Sequence, residues 1–590
     1  MNTFINRIRL LAIAFILVAI VLIFKLYIVQ VVRHDNYVAL GDRQYIKKNS
    51  NIVDRGSIFF TKKDGSHVAA ATMKDDYTLY INPKSFYTFV KSDKNINKQS
   101  EEQLILDTKS KILNTLKLNE DKKRILEEKF IKIQAKKNDV YLELVKGLSE
   151  DEQKQIRDLK LDFLGLGKEK KRYYPGNELA SNVIGTIGFK GDELAGRYGL
   201  EKYYENILNR ADKAYSNFFV DLFAGAKKVI TDKSQMEGDI YTTIEPVVQK
   251  ELENKIREIH NKQNSDLTGA IVMNPYTGEI IAMAKVPTFS HNDDSAFPIE
   301  YYKNDIVESS YEMGSIIKSL TMAMGIDTDK VHANSKYNDE GFIKVKDRTI
   351  YNFDKKGRGY IPMQEALSQS LNTGFVYISR LVGNDVMTKY FYSFGMNKKT
   401  NIDLPNESAP LTSNLEKGDV EHATASFGQG IAMSPIGTIR ALSVVANGGY
   451  VISPHIVNKI KYEIGGFKEI KPEDLTKQTP VLKPATIDEI RSMLVYNVDH
   501  SLLNGKRKNP RYTIAAKTGT AQVASETGGY IDGKNIHTFI GFFPAYKPQF
   551  IVFIYTVDPK NSRYASESLA NPFLDLSDFL ISYYEIPADR

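Results

Sequence analysis

A chain of 590 residues with 42% hydrophobic content has the material for a large core and for more than one domain. It contains no cysteine, which excludes disulfides, thiolate metal sites and a cysteine nucleophile. Its 79 basic and 72 acidic residues leave a net +7, a mild excess over this length that gives no ground for a nucleic-acid partner.

The first predicted element is apolar. Leu10 to Phe24 carry no charge, and after Lys25 the run continues to Val32. As a helix, residues 10–32 would span about 34 Å, enough for a bilayer. No small-residue cleavage site follows, so a retained single-span anchor is expected, with residues 1–9 as a short cytoplasmic tail.

Residues 33–235 are expected to form a separate, non-catalytic module. Between about residues 97 and 160, Lys and Glu dominate with a helical period. Ile105, Ile112, Leu113 and Leu116 share one face, and so do Leu126, Phe130 and Ile133. Ser149 followed by Glu152 predicts a capping box. The basic cluster Lys168, Lys170, Lys171 and Arg172 is expected to be a solvated loop, because it runs into Tyr173-Tyr174-Pro175-Gly176. Phe218, Phe219, Val220, Leu222 and Phe223 form an apolar patch expected to pack between domains.

From about Gly238 the pattern changes. Tyr241 to Ile244, Gly269 to Met273, Glu279 to Ala284, Thr538 to Phe543 and Gln549 to Val557 are predicted strands, with helical patterns between them. Residues 238–590 are therefore expected to form one α+β domain, a sheet flanked by helices.

Three stretches of that domain carry chemistry. Ser315 and Lys318 are three residues apart, so on a helix they share a face. A serine hydroxyl needs a base beside it to act as a nucleophile. Lysine can be that base only if burial or a nearby cation lowers its pKa. Met313, Ile316, Ile317 and Lys517 are the candidates for both effects. Gly314 suits a tight approach and a helix N-terminus, where free N–H groups favour developing negative charge. Ser370-Leu371-Asn372 begins 55 residues after Ser315, and Lys517-Thr518-Gly519-Thr520 begins 202 residues after it. The latter is predicted as an edge strand beside the site, able to pair with a peptide. Gly519 would let substrate lie close, and Lys517, Thr518 and Thr520 suit a carboxylate.

Gly528 to Lys534 nearly matches a phosphate-binding loop, but Asn535 stands where Ser or Thr should ligate Mg²⁺, so a flexible loop is expected. The nine histidines form no H-E-x-x-H, the chain has no G-x-S-x-G, and His422 and His537 are expected to be structural.

The trio S-x-x-K, S-x-N and K-T-G, in this order and spacing, resembles the class B (monofunctional) penicillin-binding proteins, which are peptidoglycan D,D-transpeptidases. Other stretches resemble the same family. Asp54 to Ile58, Arg172 to Gly176 and Arg197 to Lys202 are similar to its pedestal domain. Tyr241 to Glu245 is similar to the opening L-T-T-I-D, and Ser426 to Gly430 to S-x-G-Q-G. Tyr311-Glu312-Met313-Gly314 resembles Y-E-P-G, with Met313 where Pro is usual.

The resemblance implies an α+β fold: an N-terminal transmembrane helix, an extended mixed pedestal (dimerisation-type) domain, and a serine β-lactamase-like domain with an antiparallel sheet flanked by helices. It implies that Ser315 is acylated by the penultimate D-Ala of a donor stem peptide, with Lys318 as base and Ser370 as proton donor to the leaving D-Ala. Asn372 would hold Lys318 and the substrate amide. Lys517, Thr518, Gly519 and Thr520 would bind the terminal carboxylate, and the N–H groups of Ser315 and Thr520 the oxyanion. No metal or organic cofactor is implied. The implied partners are donor and acceptor stem peptides, β-lactams, the bacterial inner membrane, a SEDS-family glycosyltransferase and other wall-synthesis proteins, with the catalytic domain outside the cytoplasm. Three rivals use the same motifs. A β-lactam hydrolase or sensor would differ in acyl-enzyme lifetime, a carboxypeptidase in using water as acceptor, and a scaffold in failing to acylate.

Overall fold

A computed structural model of the chain describes residues 54–92, 98–190, 193–210, 237–293, 297–463, 466–525 and 529–590. The apolar stretch 10–32 and the patch 218–223 lie outside the described residues. Among the described ones, no helix is long and apolar enough to cross a membrane.

The described residues fall into two compact units, Asp54 with Met73–Lys171, and Arg55–Thr72 with Arg172–Arg590. Strand β1 (Ile58–Thr61) turns back into β2 (His67–Ile81), which contributes its first residues to the larger unit and its last to the smaller.

The smaller unit contains helices α1 (Lys98–Thr115), α2 (Glu120–Ala135) and α3 (Glu150–Asp158), and strands β3 (Leu142–Val145) and β4 (Leu164–Tyr173) that pair with β2. Its core is the one the helical period marks: Ile105, Ile112, Leu116, Leu126, Phe130 and Ile133 are buried together with Leu79, Ile81, Phe86 and Leu144. Each such side chain contributes roughly 1.5–3 kcal/mol on burial. The capping box forms: Ser149 Oγ accepts the Glu152 N–H, and Glu152 returns a carboxylate oxygen to the Ser149 N–H. The basic cluster is not a loop. Lys168 and Lys170 are exposed on β4, where Asp75 and Asp54 neutralise them at 2.8 and 3.4 Å. Ladder pairing with β2 outweighs the loop-like composition.

Seven further strands position the site in the larger unit: β5 (Gly238–Thr242), β6 (Leu267–Met273), β7 (Ile280–Val286), β8 (Val457–Tyr462), β9 (Ala515–Ala524), β10 (Tyr530–Phe543) and β11 (Phe550–Val557). One sheet joins β8, β5, β1 and the first part of β2, with β5 and β1 parallel. The other runs in the order β9-β10-β11-β6-β7 and is antiparallel throughout. Residues 530–534, expected in a loop, belong to β10, where Lys534 pairs with Asp266 and Asp558 at 3.1 Å each.

Helices α4 (Pro246–Gln263), α5 (Lys318–Asp327), α7 (Pro435–Ala446), α8 (Pro484–Tyr496) and α9 (Ala570–Tyr583) flank this sheet, and α6 (Asn372–Val382) packs on α5. Val248, Leu252 and Ile256 of α4 and Phe573 and Leu580 of α9 share one core with Ala270, Val272, Val552 and Ile554. The alternate residues Ile271, Met273, Ile551 and Phe553 share the opposite core with Leu320, Leu442 and Leu494. Because both faces are covered, β11 is apolar at nearly every position and lacks the alternation of a half-exposed strand.

The three pedestal-like stretches converge in this unit. Arg55 Nε donates to Glu201 Oε2 at 2.6 Å, and Arg172 Nε donates to Glu201 Oε1 at 2.7 Å. Arg55 also reaches Glu205 at 2.6 Å, and Arg172 reaches the Gly56 carbonyl at 2.7 Å. Glu201 is fully buried. Burial pushes its carboxyl up, but the two guanidiniums outweigh that and hold it below the usual range.

Candidate active site

Ser315 lies in a 3₁₀ turn, Gly314–Ile317, that runs directly into α5. The expected helix therefore starts one turn later than the nucleophile. Residues i and i+3 eclipse in a 3₁₀ turn, so Ser315 and Lys318 remain on one side. The turn is pinned from three directions. The Gly314 N–H donates to the Gly428 carbonyl at 3.1 Å, Thr538 Oγ1 donates to the Met313 carbonyl at 3.0 Å, and the Thr520 backbone lies against Gly314. Gly314 has φ +61°, and a Cβ there would come within 2.7 Å of the Thr520 oxygen. Gly428 has φ +81°, and its Cβ would meet the Gly314 oxygen at 2.1 Å. Gly428, in the stretch Ser426 to Gly430, thus serves backbone-to-backbone approach at the nucleophile.

Lys318 is fully buried. Its Nζ contacts the Ser370 carbonyl at 2.7 Å, Ser370 Oγ at 3.2 Å and Asn372 Oδ1 at 2.8 Å, and none of the three bonds goes to Ser315 Oγ. The Phe375 and Phe427 rings wall the amine, with centroids 5.3 and 6.0 Å from Nζ. Burial, and after it the charge of Lys517, hold Lys318 well below the ordinary lysine range. A neutral amine has two N–H donors and a lone pair. The two N–H groups fit the Ser370 carbonyl and Asn372 Oδ1, which leaves the lone pair free for a hydroxyl.

Ser370 stands between the two lysines. Lys517 Nζ reaches its Oγ at 3.1 Å, opposite Lys318 at 3.2 Å. Ser370 holds φ +57°, a left-handed conformation that costs a non-glycine residue about 1–2 kcal/mol. That strain aims both its carbonyl and its hydroxyl at Lys318. Asn372 opens α6 and is oriented by its Nδ2, which donates to the Tyr351 carbonyl at 2.9 Å.

Lys517, Thr518, Gly519 and Thr520 lie on β9, at the edge of the five-stranded sheet. Lys517 and Gly519 are buried, and Thr518 and Thr520 are half-buried. Thr520 Oγ1 accepts the Ala565 N–H at 3.3 Å. Burial lowers Lys517 to about 7. Gly519 serves a different purpose from the one expected. A Cβ there would meet Thr538 Oγ1 at 2.4 Å, the Met313 oxygen at 2.8 Å and the Ile316 nitrogen at 3.0 Å. Its missing side chain lets β9 lie against the nucleophile turn.

The structure thus gathers Ser370 and Asn372 around Lys318, places Lys517 across Ser370, and lays Gly519 and Thr520 along the turn that bears Ser315. Sequence reasoning gave no role to Glu312, although the Tyr311-Glu312-Met313-Gly314 stretch marks it. Its Oε1 accepts the Gly430 N–H at 3.0 Å and its Oε2 accepts the Tyr530 hydroxyl at 3.1 Å, joining the glycine loop to the start of β10. His422 and His537 are both satisfied structurally. His422 pairs with the Gly418 carbonyl and Thr388 Oγ1, and His537 with Ser568 Oγ and the Arg563 carbonyl.

Residues 268–576 match the penicillin-binding protein transpeptidase domain, and residues 52–240 match the penicillin-binding protein dimerisation domain. The chain belongs to the penicillin-binding protein transpeptidase family. It is 28% identical over 573 residues to stage V sporulation protein D of Bacillus subtilis, covering 95% of this chain and 82% of that one. It is 25% identical over 467 residues to peptidoglycan D,D-transpeptidase FtsI of Escherichia coli, covering 76% and 73%. Among solved structures, penicillin-binding protein 2X from Streptococcus thermophilus superposes with a TM-score of 0.70 at 20% identity, covering 91% of this chain and 81% of that one. The fold is the mixed α+β fold of these transpeptidases, with its dimerisation domain.

Proposed function

We propose that this protein is a serine-type peptidoglycan D,D-transpeptidase of cell-wall synthesis that works through an acyl-enzyme on Ser315. The observation that carries the reading is the pair of buried lysines, Lys318 and Lys517, facing each other across the Ser370 hydroxyl. Burial holds the Lys318 amine well below the ordinary lysine range and lowers Lys517 to about 7, as suits a base beside a serine nucleophile.

In the first half-reaction Ser315 Oγ forms a bond to the penultimate D-Ala carbonyl carbon, and its proton passes to the Lys318 amine. The resulting oxyanion is held by the N–H groups of Ser315 and Thr520. The C–N bond to the terminal D-Ala then breaks, and the proton reaches the departing amine through the Ser370 hydroxyl. Lys517, Thr518 and Thr520 hold the terminal carboxylate beforehand. In the second half an acceptor stem amine attacks the ester carbon, its proton returns by the same path, and Ser315 leaves as a hydroxyl. The substrates are donor and acceptor stem peptides, and β-lactams acylate the same serine.

Around this site the proposed layout is a tail at 1–9, an anchor at 10–32 in the inner membrane, a pedestal at 33–235 with a helical head at about 97–160, and a transpeptidase domain at 238–590 outside the cytoplasm. The apolar run and the match to the dimerisation domain support it. A SEDS-family glycosyltransferase is the proposed partner.

The test is acylation followed by peptide mapping. Purified protein treated with fluorescent penicillin is expected to carry one covalent adduct, on Ser315, and to convert donor and acceptor stem peptides to cross-linked dimers. An adduct on another residue, or acylation with release of D-Ala to water alone, overturns the assignment.

The acylation pH profile is expected to be bell-shaped for β-lactams that carry a carboxylate. On the acid side Lys318 becomes protonated and cannot accept the serine proton. On the alkaline side Lys517, lowered by burial to about 7, loses its charge, and carboxylate binding weakens. Second-order acylation rates measured from pH 5 to 9 check this. A carboxylate-free analogue should lose the alkaline limb, and identical profiles for both compounds would remove Lys517 from carboxylate recognition.

A further inference from the structure

The second motif is held by a buried polar cluster that the reaction itself does not use. Helix α6 begins at Asn372, and its N-cap residue, Leu371, offers no side-chain cap. The cap comes from a distant hairpin. Asn352 Oδ1 accepts the Thr373 N–H at 3.2 Å and the Thr373 hydroxyl lies 3.1 Å from it. Asn352 is in turn held by Asp339, whose two oxygens accept from Asn352 Nδ2 at 2.9 and 3.1 Å. Asp339 Oδ1 also accepts the Thr373 hydroxyl at 2.8 Å and the Gly341 N–H at 3.1 Å. Asp339 and Asn352 are each 2% exposed, and Thr373 is 3% exposed. No cation joins this carboxylate among the described hydrogen bonds and ion pairs, so its bonds are to neutral donors and to the N-terminal turn of α6, which favours a negative charge.

The cluster grips Asn372 from both sides. Thr373 is its neighbour in the chain. Tyr351, whose carbonyl takes the Asn372 Nδ2 proton, is the neighbour of Asn352. Asp339 thus braces the residues next to both ends of the Asn372 contacts, Thr373 in the chain and Asn352 beside Tyr351, and the Oδ1 of Asn372 is one of the three contacts of the Lys318 amine.

We propose that Asp339 is a positioning residue for acylation: through Asn352 and Thr373 it fixes Asn372, and through Asn372 the orientation of the Lys318 amine toward Ser315. This rests on the acyl-enzyme reading above. The carboxylate group of the substrate is recognised on β9, on another element, so the effect falls on the chemical step and spares binding.

The experiment measures acylation of the full chain by fluorescent penicillin in stopped flow, resolving the binding constant K from the acylation rate constant k2. Asp339→Asn puts an amide N–H₂ against the Asn352 donor, and Thr373→Val removes the hydroxyl at constant shape. Both are expected to lower k2 by about tenfold to a hundredfold, the usual result of misplacing a reacting group. K should stay within about threefold, the sign of an interaction made only in the chemical step. Thr373→Ser keeps the hydroxyl and should retain the wild-type k2. If Asp339→Asn does not fold, the Thr373 pair decides alone. Wild-type k2 in Thr373→Val, or equal losses in K and k2, would overturn the proposal. A wild-type protein that is not acylated would instead refute the acyl-enzyme reading.

Discussion

Lys318→Arg is expected to lower the acylation rate constant by about 10²–10⁴-fold, the contribution typical of a positioned general base. The change keeps a positive charge and a long stem, so it separates basicity from electrostatics. Arginine stays protonated at any working pH and cannot accept the Ser315 proton. Lys318 is buried, its ordinary pKa is depressed first by that burial and then by Lys517, and its contacts leave a lone pair for a hydroxyl. The loss corresponds to about 2.7–5.5 kcal/mol of transition-state stabilisation. Lys318→Met, neutral and of similar length, should fold at least as well and be as inactive. Stopped-flow acylation with fluorescent penicillin, together with thermal unfolding of each variant, checks both. Acylation by Lys318→Arg at near wild-type rate would reduce Lys318 to electrostatic support.

Glu201→Ala is expected to destabilise the larger unit by about 3–5 kcal/mol, because it strands two buried guanidiniums. Arg55 and Arg172 both bond the same carboxylate, and all three side chains are 2% exposed or less. Arg55 keeps Glu205, but Arg172 keeps only the Gly56 carbonyl among its described bonds. Glu201→Gln should fall between, since it retains an acceptor and loses the charge. The folded carboxyl of Glu201 lies below its ordinary value, so its stabilisation is full above the unfolded pKa and is lost as pH falls through the folded one. The midpoint of denaturant unfolding, followed at pH 7 and at pH 4, checks the magnitude and the sign. A shift under about 1 kcal/mol would mean that the cluster relaxes or takes up water on losing its centre.

The three motifs were legible in the sequence because catalysis demands particular side chains at short spacings. Ser315 and Lys318 sit one 3₁₀ turn apart, and Lys517 to Thr520 needs only a strand to alternate its faces. The core of the helical head was legible for the same reason, since Ile112, Leu116, Leu126 and Phe130 follow a local period. Local pattern misjudged residues whose neighbours are distant. Lys168 to Arg172 looks like a solvated loop until β4 pairs with β2, and Arg172 looks like one more surface cation until Glu201 arrives from the next motif.

Gly519 shows the same division. Its chemistry suggested room for substrate, whereas the fold gives that space to Met313 and Ile316 of the nucleophile turn. The sequence by itself determined which groups can react. The tertiary structure decided how readily the two lysines lose a proton, because their depressed pKa values come mainly from burial under helices and rings far away in the chain. Only the fold could bring residues 199 positions apart to opposite sides of one hydroxyl.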